Sequence, residues 1–125
     1  MPRFMVEAAP AVEARFPGTR VIAFGHLGDG NVHFNVRAPA GASPEWPEGE
    51  GAAVTSFVHD LVVAAGGSIS AEHGIGQMRL AELARLGDPA RLAAMRAIKQ
   101  ALDPHGILNP GKLVPPLDPA QDRLA

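Results

Sequence analysis

Residues 21–37 read VIAFGHLGDGNVHFNVR, and this stretch decides how the chain begins to fold. Val21 to His26 is short, apolar and β-prone, Leu27 to Gly30 carries two glycines around Asp29, and Asn31 to Arg37 alternates polar with apolar side chains. Two strands about a tight turn, a β-hairpin, follow from that pattern. With Leu27 to Gly30 as a four-residue loop, His26 lies opposite Asn31, Phe24 opposite His33 and Ile22 opposite Asn35 in an antiparallel ladder. Side chains alternate between faces along a strand, so this register places His26, His33 and Asn35 on one face and aims Val32, Phe34 and Val36 at a core. His26 and His33 are then diagonal neighbours with backbones roughly 7 to 8 Å apart, near enough for two imidazoles to converge on one ion. A single bulge in the glycine-rich turn would send one of them to the opposite face.

Before the hairpin, Met5, Ala8, Ala9, Val12 and Phe16 recur at helical spacing over residues 3–16, and Pro17-Gly18 supplies the stop. After it, Ala38 to Gly51 holds Pro39, Pro44, Pro47 and several glycines and reads as an exposed, mobile loop with Trp46 its only bulky residue. From Ala52 to Ala65 the residues Val54, Phe57, Val58, Leu61, Val62 and Ala65 form one helical stripe, and Gly66-Gly67 offers a left-handed cap. Ser68-Ile69-Ser70 reads as an edge strand delivering Glu72 and His73. A short helix carrying Met78, Leu83 and Leu86 follows, and Asp88-Pro89, in N-cap and first-turn positions, open another with Leu92, Met95, Ile98 and Leu102 that Asp103-Pro104 ends. The tail after Val114 is rich in proline and polar residues and reads as frayed. No internal repeat is present.

Composition narrows the function. A length of 125 residues with 46% hydrophobic side chains suits one small domain and argues against disorder. Eleven basic against thirteen acidic residues give a net charge of -2 with no basic block to follow a phosphate backbone, so nucleic acid is not an expected partner. No apolar run reaches the ~20 residues that cross a bilayer, and Pro2, Arg3 and Glu7 stand where a signal peptide needs an apolar core, so a soluble, cytoplasmic protein is expected. With no cysteine there is no disulfide, no thiolate zinc site and no iron-sulfur ligation, and any metal must use His, Asp or Glu.

A second glycine-bounded stretch, SAEHGIG at residues 70–76, adds Glu72 and His73. Two histidines and a glutamate are the ligand combination of an open catalytic zinc site, and the neighbouring His73 is placed to move a proton. Plainer readings stand beside this one. His33 reads equally as a polar residue on the wet face of a hairpin, Asp29 and Asn31 as turn residues, His59 as a solvated helix residue and His105 as a loop residue. Gly74 and Gly76 suggest a phosphate loop, but no GxGxxG or Walker pattern surrounds them. The same His, His, Glu set would also serve a metallohydrolase with a bound water as nucleophile, or a non-catalytic metal-binding fragment that associates with a partner.

Taken in order, GHLGDGNVHFNV, SAEHGIG and DPHGILNPGKL resemble the C-terminal part of the FAD-linked oxidases of the vanillyl-alcohol oxidase superfamily. The D-2-hydroxyacid dehydrogenase branch, which includes D-lactate and D-2-hydroxyglutarate dehydrogenases and the flavin subunit of glycolate oxidase, is the most similar. The resemblance runs from about Arg15 to Leu113. It implies an α+β fold: an incomplete ferredoxin-like antiparallel sheet with helices on one face, followed by C-terminal helices. Residues 1–75 would be a partial cap or substrate domain, 76–113 a helical segment returning toward the flavin, and 114–125 a tail. The resemblance further implies His26, His33 and Glu72 as ligands of zinc or manganese, His73 as the general base, Asn35 as a substrate-binding residue, and Asn109, Gly111 and Lys112 as residues near the flavin ring. The expected activity is oxidation of a 2-hydroxy acid to the 2-oxo acid with hydride transfer to FAD.

The family's FAD-binding domain, the cap domain's opening strand and the basic residues that would bind the substrate carboxylate have no counterpart in these residues. The chain is therefore expected to be a fragment, inactive without an FAD-binding domain or subunit, and passing electrons to an acceptor that the residues do not name. The lost strand would leave an unpaired sheet edge open to self-association. A peripheral membrane location through an electron-transfer partner is compatible with this.

Overall fold

The structure, a computed structural model, describes residues 2–114. The tail expected to fray lies, from residue 115 on, outside the described residues. The fold is α+β: α1 (Pro2–Arg15), β1 (Arg20–Gly25), β2 (Val32–Arg37), α2 (Glu50–Ala64), α3 (Leu80–Leu86) and α4 (Pro89–Leu102). The two strands form a two-stranded antiparallel sheet. The chain divides into two units, residues 1–72 and 73–125.

In the first unit the hairpin register pairs Ile22 with Asn35, Phe24 with His33 and Gly25 with Val32, as the spacing predicts. One face of the sheet is covered: Val21, Phe34 and Val36 pack against the buried Val12 and Phe16 of the α1 segment and Val54 of α2. Phe57 of α2 meets Phe16 edge-on at 5.9 Å between ring centroids, a favoured aromatic geometry. The helix-to-strand joint is held by polar contacts as well. Glu13 accepts the Val21 N–H at 3.0 Å and lies 3.6 Å from Arg20, and the buried Thr19 hydroxyl donates to the Phe16 carbonyl at 2.7 Å.

The stretch before α2 is the largely exposed loop expected, with one anchor on the core, and the edge strand expected after α2 is corrected. The proline-rich stretch before α2 is tethered: Trp46 is packed against the core, its indole N–H donates to Glu50 at 2.8 Å, and Gly51 lies against the ring so closely that a Cβ would come within 2.9 Å of it. Ser68 to Ser70 forms a turn and not an edge strand. The α2 helix ends in a Schellman arrangement, with Gly66 at φ +73°, its N–H on the Val63 carbonyl and the Gly67 N–H on the Val62 carbonyl. The Ser68 hydroxyl then accepts the Ser70 N–H at 3.2 Å and meets the Ser70 hydroxyl at 2.7 Å, so side-chain bonds replace a ladder.

In the second unit Asp88 caps α4 by accepting the Arg91 N–H at 2.9 Å, with Pro89 in the first turn. Met78, expected on α3, precedes it and is almost wholly exposed. Asp103 ends α4 and is buried; its carboxylate accepts from Lys99 and from the backbone N–H groups of Ile107 and Leu108 at 3.0 and 2.9 Å. The Lys99 ammonium first, helped by those two N–H groups, holds the Asp103 carboxyl below its ordinary 3.8. A carboxyl whose folded value lies below its unfolded value stabilises the fold above the unfolded value and loses that contribution as the pH falls through the folded one. Unfolding monitored by circular dichroism should therefore steepen with acid below about pH 4, and Asp103→Asn should flatten that limb. An unchanged limb in the variant would remove Asp103 from the account. Among the described residues no helix is long and apolar enough to cross a membrane.

Candidate active site

The second face of the hairpin carries the site. The loop of residues 27–30 closes with the Gly30 N–H donating to the His26 carbonyl and the His26 N–H donating to the Asn31 carbonyl, each at 2.9 Å. Asp29 accepts the Asn31 N–H at 2.9 Å, an Asx turn inside the loop. Gly30 takes the positive φ, +75°, that the turn needs. No bulge intervenes, because Gly25 pairs with Val32 directly below the loop. Parity is preserved, and both histidines emerge on the open face.

Their rings meet. The Nε2 atoms of His26 and His33 are 3.3 Å apart, with ring centroids at 5.1 Å. The turn after α2 adds the acid: Ala71 adopts φ +44°, and Glu72 comes to 3.7 Å from His33 Nε2 through Oε1 and 3.9 Å from His26 Nδ1 through Oε2. All three side chains are partly exposed, so a ligand can reach them. The left-handed conformation at Ala71 is uncommon for a residue with a Cβ and belongs with the strained backbone that functional sites carry.

Two nitrogen ligands at about 2.0–2.1 Å from a tetrahedral zinc ion stand roughly 3.3 Å apart, which is the spacing of the imidazole pair. The Glu72 oxygen is slightly outside that distance. Among the described residues no three His, Asp or Glu side chains stand as a finished metal-holding group. The donor set thus has the chemistry and the near spacing for a divalent ion, with the carboxylate just short of the rings.

Three further contacts order this face. Asp29 Oδ2 lies 3.6 Å from His26 Nδ1. The Asn31 N–H first, and His26 after it, hold the Asp29 carboxyl below its ordinary value. Phe24 stacks on His33 with centroids 4.9 Å apart and planes within 15°. Asn35 sits two residues beyond His33 on the same face, its amide directed at the Ile22 carbonyl at 3.5 Å. The reading of spacing alone left out Phe24 and the Asp29 contact, although the register that sets Phe24 opposite His33 was the signal for the first.

His73 and the Asn109, Gly111, Lys112 group belong to the second unit. There Asn109 and Gly111 take φ +46° and +70°, the Lys112 N–H returns to the Asn109 carbonyl at 3.2 Å, and the Leu113 N–H donates to the Gly76 carbonyl at 2.9 Å. Lys112 also bonds the Gln77 amide oxygen. The closing NPGK turn is thus stitched to the loop that follows His73.

The family described as FAD linked oxidases, C-terminal domain, matches residues 2–113. A D-2-hydroxyglutarate dehydrogenase of Stutzerimonas stutzeri is 38% identical over 113 residues, 90% of this chain and 24% of that protein. One of Xanthomonas citri pv. viticola is 41% identical over the same shares, and a mitochondrial D-2-hydroxyglutarate dehydrogenase of Arabidopsis thaliana is 41% identical over 95 residues, 76% of this chain and 16% of that protein. The chain spans 24% of the length of the two bacterial relatives.

Proposed function

This chain belongs to the FAD linked oxidase C-terminal domain family, and we propose that it is the substrate-handling part of an FAD-dependent, metal-assisted D-2-hydroxyacid dehydrogenase. D-2-hydroxyglutarate is the first substrate to test, because the relatives carry that name, with D-lactate and glycolate behind it. The observation that supports the reading most is the pair of imidazole nitrogens at 3.3 Å with the Glu72 carboxylate beside them on one open face.

In this reading His26, His33 and Glu72 hold the ion. A divalent cation supplies charge that lowers the pKa of a 2-hydroxy acid's hydroxyl, and FAD supplies the acceptor for the hydride from Cα. An imidazole nitrogen of His73 would accept the hydroxyl proton. The Asn35 amide has both a donor and an acceptor to offer the substrate and orients it on the hairpin face. Asn109, Gly111 and Lys112 of the NPGK turn would be the residues of this chain that help to hold the flavin. In this reading the chain needs an FAD-binding partner for turnover, which fits its covering 24% of the length of the two bacterial relatives.

Elemental analysis of the purified chain after zinc or manganese loading and dialysis is the test. The expected result is about one equivalent in the wild type and none in His26→Ala or Glu72→Gln. With FAD, D-2-hydroxyglutarate and an electron-accepting dye, no turnover is expected until an FAD-binding protein of this family is added. Absence of any metal retention would overturn the metal-assisted reading, and turnover by the chain alone would overturn the need for a second part. Ester or amide cleavage by the metal-loaded chain without flavin would point to a metallohydrolase.

A further inference from the structure

We propose that Phe24 is a positioning residue that fixes the ring plane of His33, an inference that rests on the metal-assisted reading above. The χ2 torsion of a histidine is a broad, roughly two-fold torsion, so a rotamer well leaves the ring free to swing. A ring that presents Nε2 to an ion must therefore be held by something else. His26 has such a hold: two carboxylates face its Nδ1, Asp29 Oδ2 at 3.6 Å from within the turn and Glu72 Oε2 at 3.9 Å, after the manner of the carboxylate–histidine arrangement that orients metal ligands. For His33 the only carboxylate contact among the described residues is Glu72, and it falls on Nε2, the ligating nitrogen.

Phe24 fills the gap. It sits opposite His33 in the ladder, and the two rings lie nearly parallel, 15° apart with centroids at 4.9 Å, in the offset-stacked range. With the plane so set, His33 Nε2 points at His26 Nε2. Phe24 is 55% exposed and does not belong to the buried cluster under the other face of the sheet, so the core gives no reason for an aromatic ring at this position. The two imidazoles are thus oriented by unlike devices, carboxylates for one and an aromatic plane for the other.

The experiment compares the 125-residue chain with Phe24→Leu, which keeps apolar bulk without a plane, and Phe24→Tyr, which keeps the plane. Competition against a zinc chelator should show zinc binding weakened roughly 10- to 100-fold in Phe24→Leu and restored in Phe24→Tyr, the range seen when an outer-shell partner of a ligand is removed. The cobalt-substituted forms should show a changed visible spectrum in Phe24→Leu only. In the metal-free protein the ring C–H proton resonances of His33 should carry an upfield ring-current shift that Phe24→Leu abolishes. Melting temperatures should stay together, because the side chain is mostly exposed. Wild-type zinc affinity in Phe24→Leu would overturn the inference and leave the metal reading intact. A wild type that binds no metal would sink that reading instead, and His33 resonances identical in wild type and Phe24→Leu would then show that the stack itself does not form.

Discussion

Gly25→Ala is expected to dismantle the site and destabilise the first unit together. A Cβ on Gly25 would lie 2.2 Å from the Asn31 carbonyl oxygen and 3.2 Å from the Val32 Cα, and both are backbone atoms that no rotamer change can move. One strand must retreat from the other at the pair directly below the loop. That retreat breaks the His26 N–H bond to the Asn31 carbonyl and separates two imidazoles whose spacing depends on the ladder. The cost should be about 3 kcal/mol, which lowers the melting temperature of so small a unit by roughly 10 to 20 °C. Zinc retention should vanish in the same variant. Gly28→Ala is the control, since nothing lies within 4 Å of a Cβ there and its φ is not positive. It should change neither reading by much, and equal effects of the two substitutions would show that loop flexibility and not strand spacing is at stake.

Val12→Ala should carry the second large effect, this time on stability alone. Val12 is the largest fully buried side chain among the described residues, at 0% exposure, and lies where α1 meets both the sheet and α2. Removing two methyl groups loses their transfer free energy and leaves a cavity that Phe16 and Val54 cannot collapse into without leaving their own contacts, about 2 to 3 kcal/mol in all. Val6→Ala on the same helix, at a position 74% exposed, should cost little, since the small loss of contact is offset by the higher helix propensity of alanine. Chemical denaturation of the two variants decides it. A shift in midpoint no larger for Val12→Ala than for Val6→Ala would mean that the cluster under the sheet does not hold the hairpin in place.

Much of this arrangement was legible before any coordinates, and the reasons are local. Phe24 and His33, and Ile22 and Asn35, pair as the four-residue loop demands, because a hairpin's loop length sets its register and the register sets which face each side chain takes. The Asp88 cap, Pro89 in the first turn and the Gly66-Gly67 stop are equally local, each being a hydrogen bond or a dihedral that a few neighbouring residues settle among themselves. The contact of Trp46 with the core and the place of Met78 outside α3 were not legible, because neither is decided by its neighbours: one is drawn from a proline-rich loop onto the core, and the other, at helical spacing, is left outside the helix.

The residues by themselves determined the pairing of the strands and the sharing of one face by His26 and His33, since alternation along a strand is a property of the backbone, whereas the α+β class came with the family resemblance. Only the tertiary structure decided that Glu72 reaches that face. Its arrival depends on where α2 stops, at Gly66-Gly67, and on a turn of serine hydroxyl bonds closing at Ala71 with φ +44°, and side-chain bonds of that kind compete with a strand on nearly equal terms until packing chooses between them.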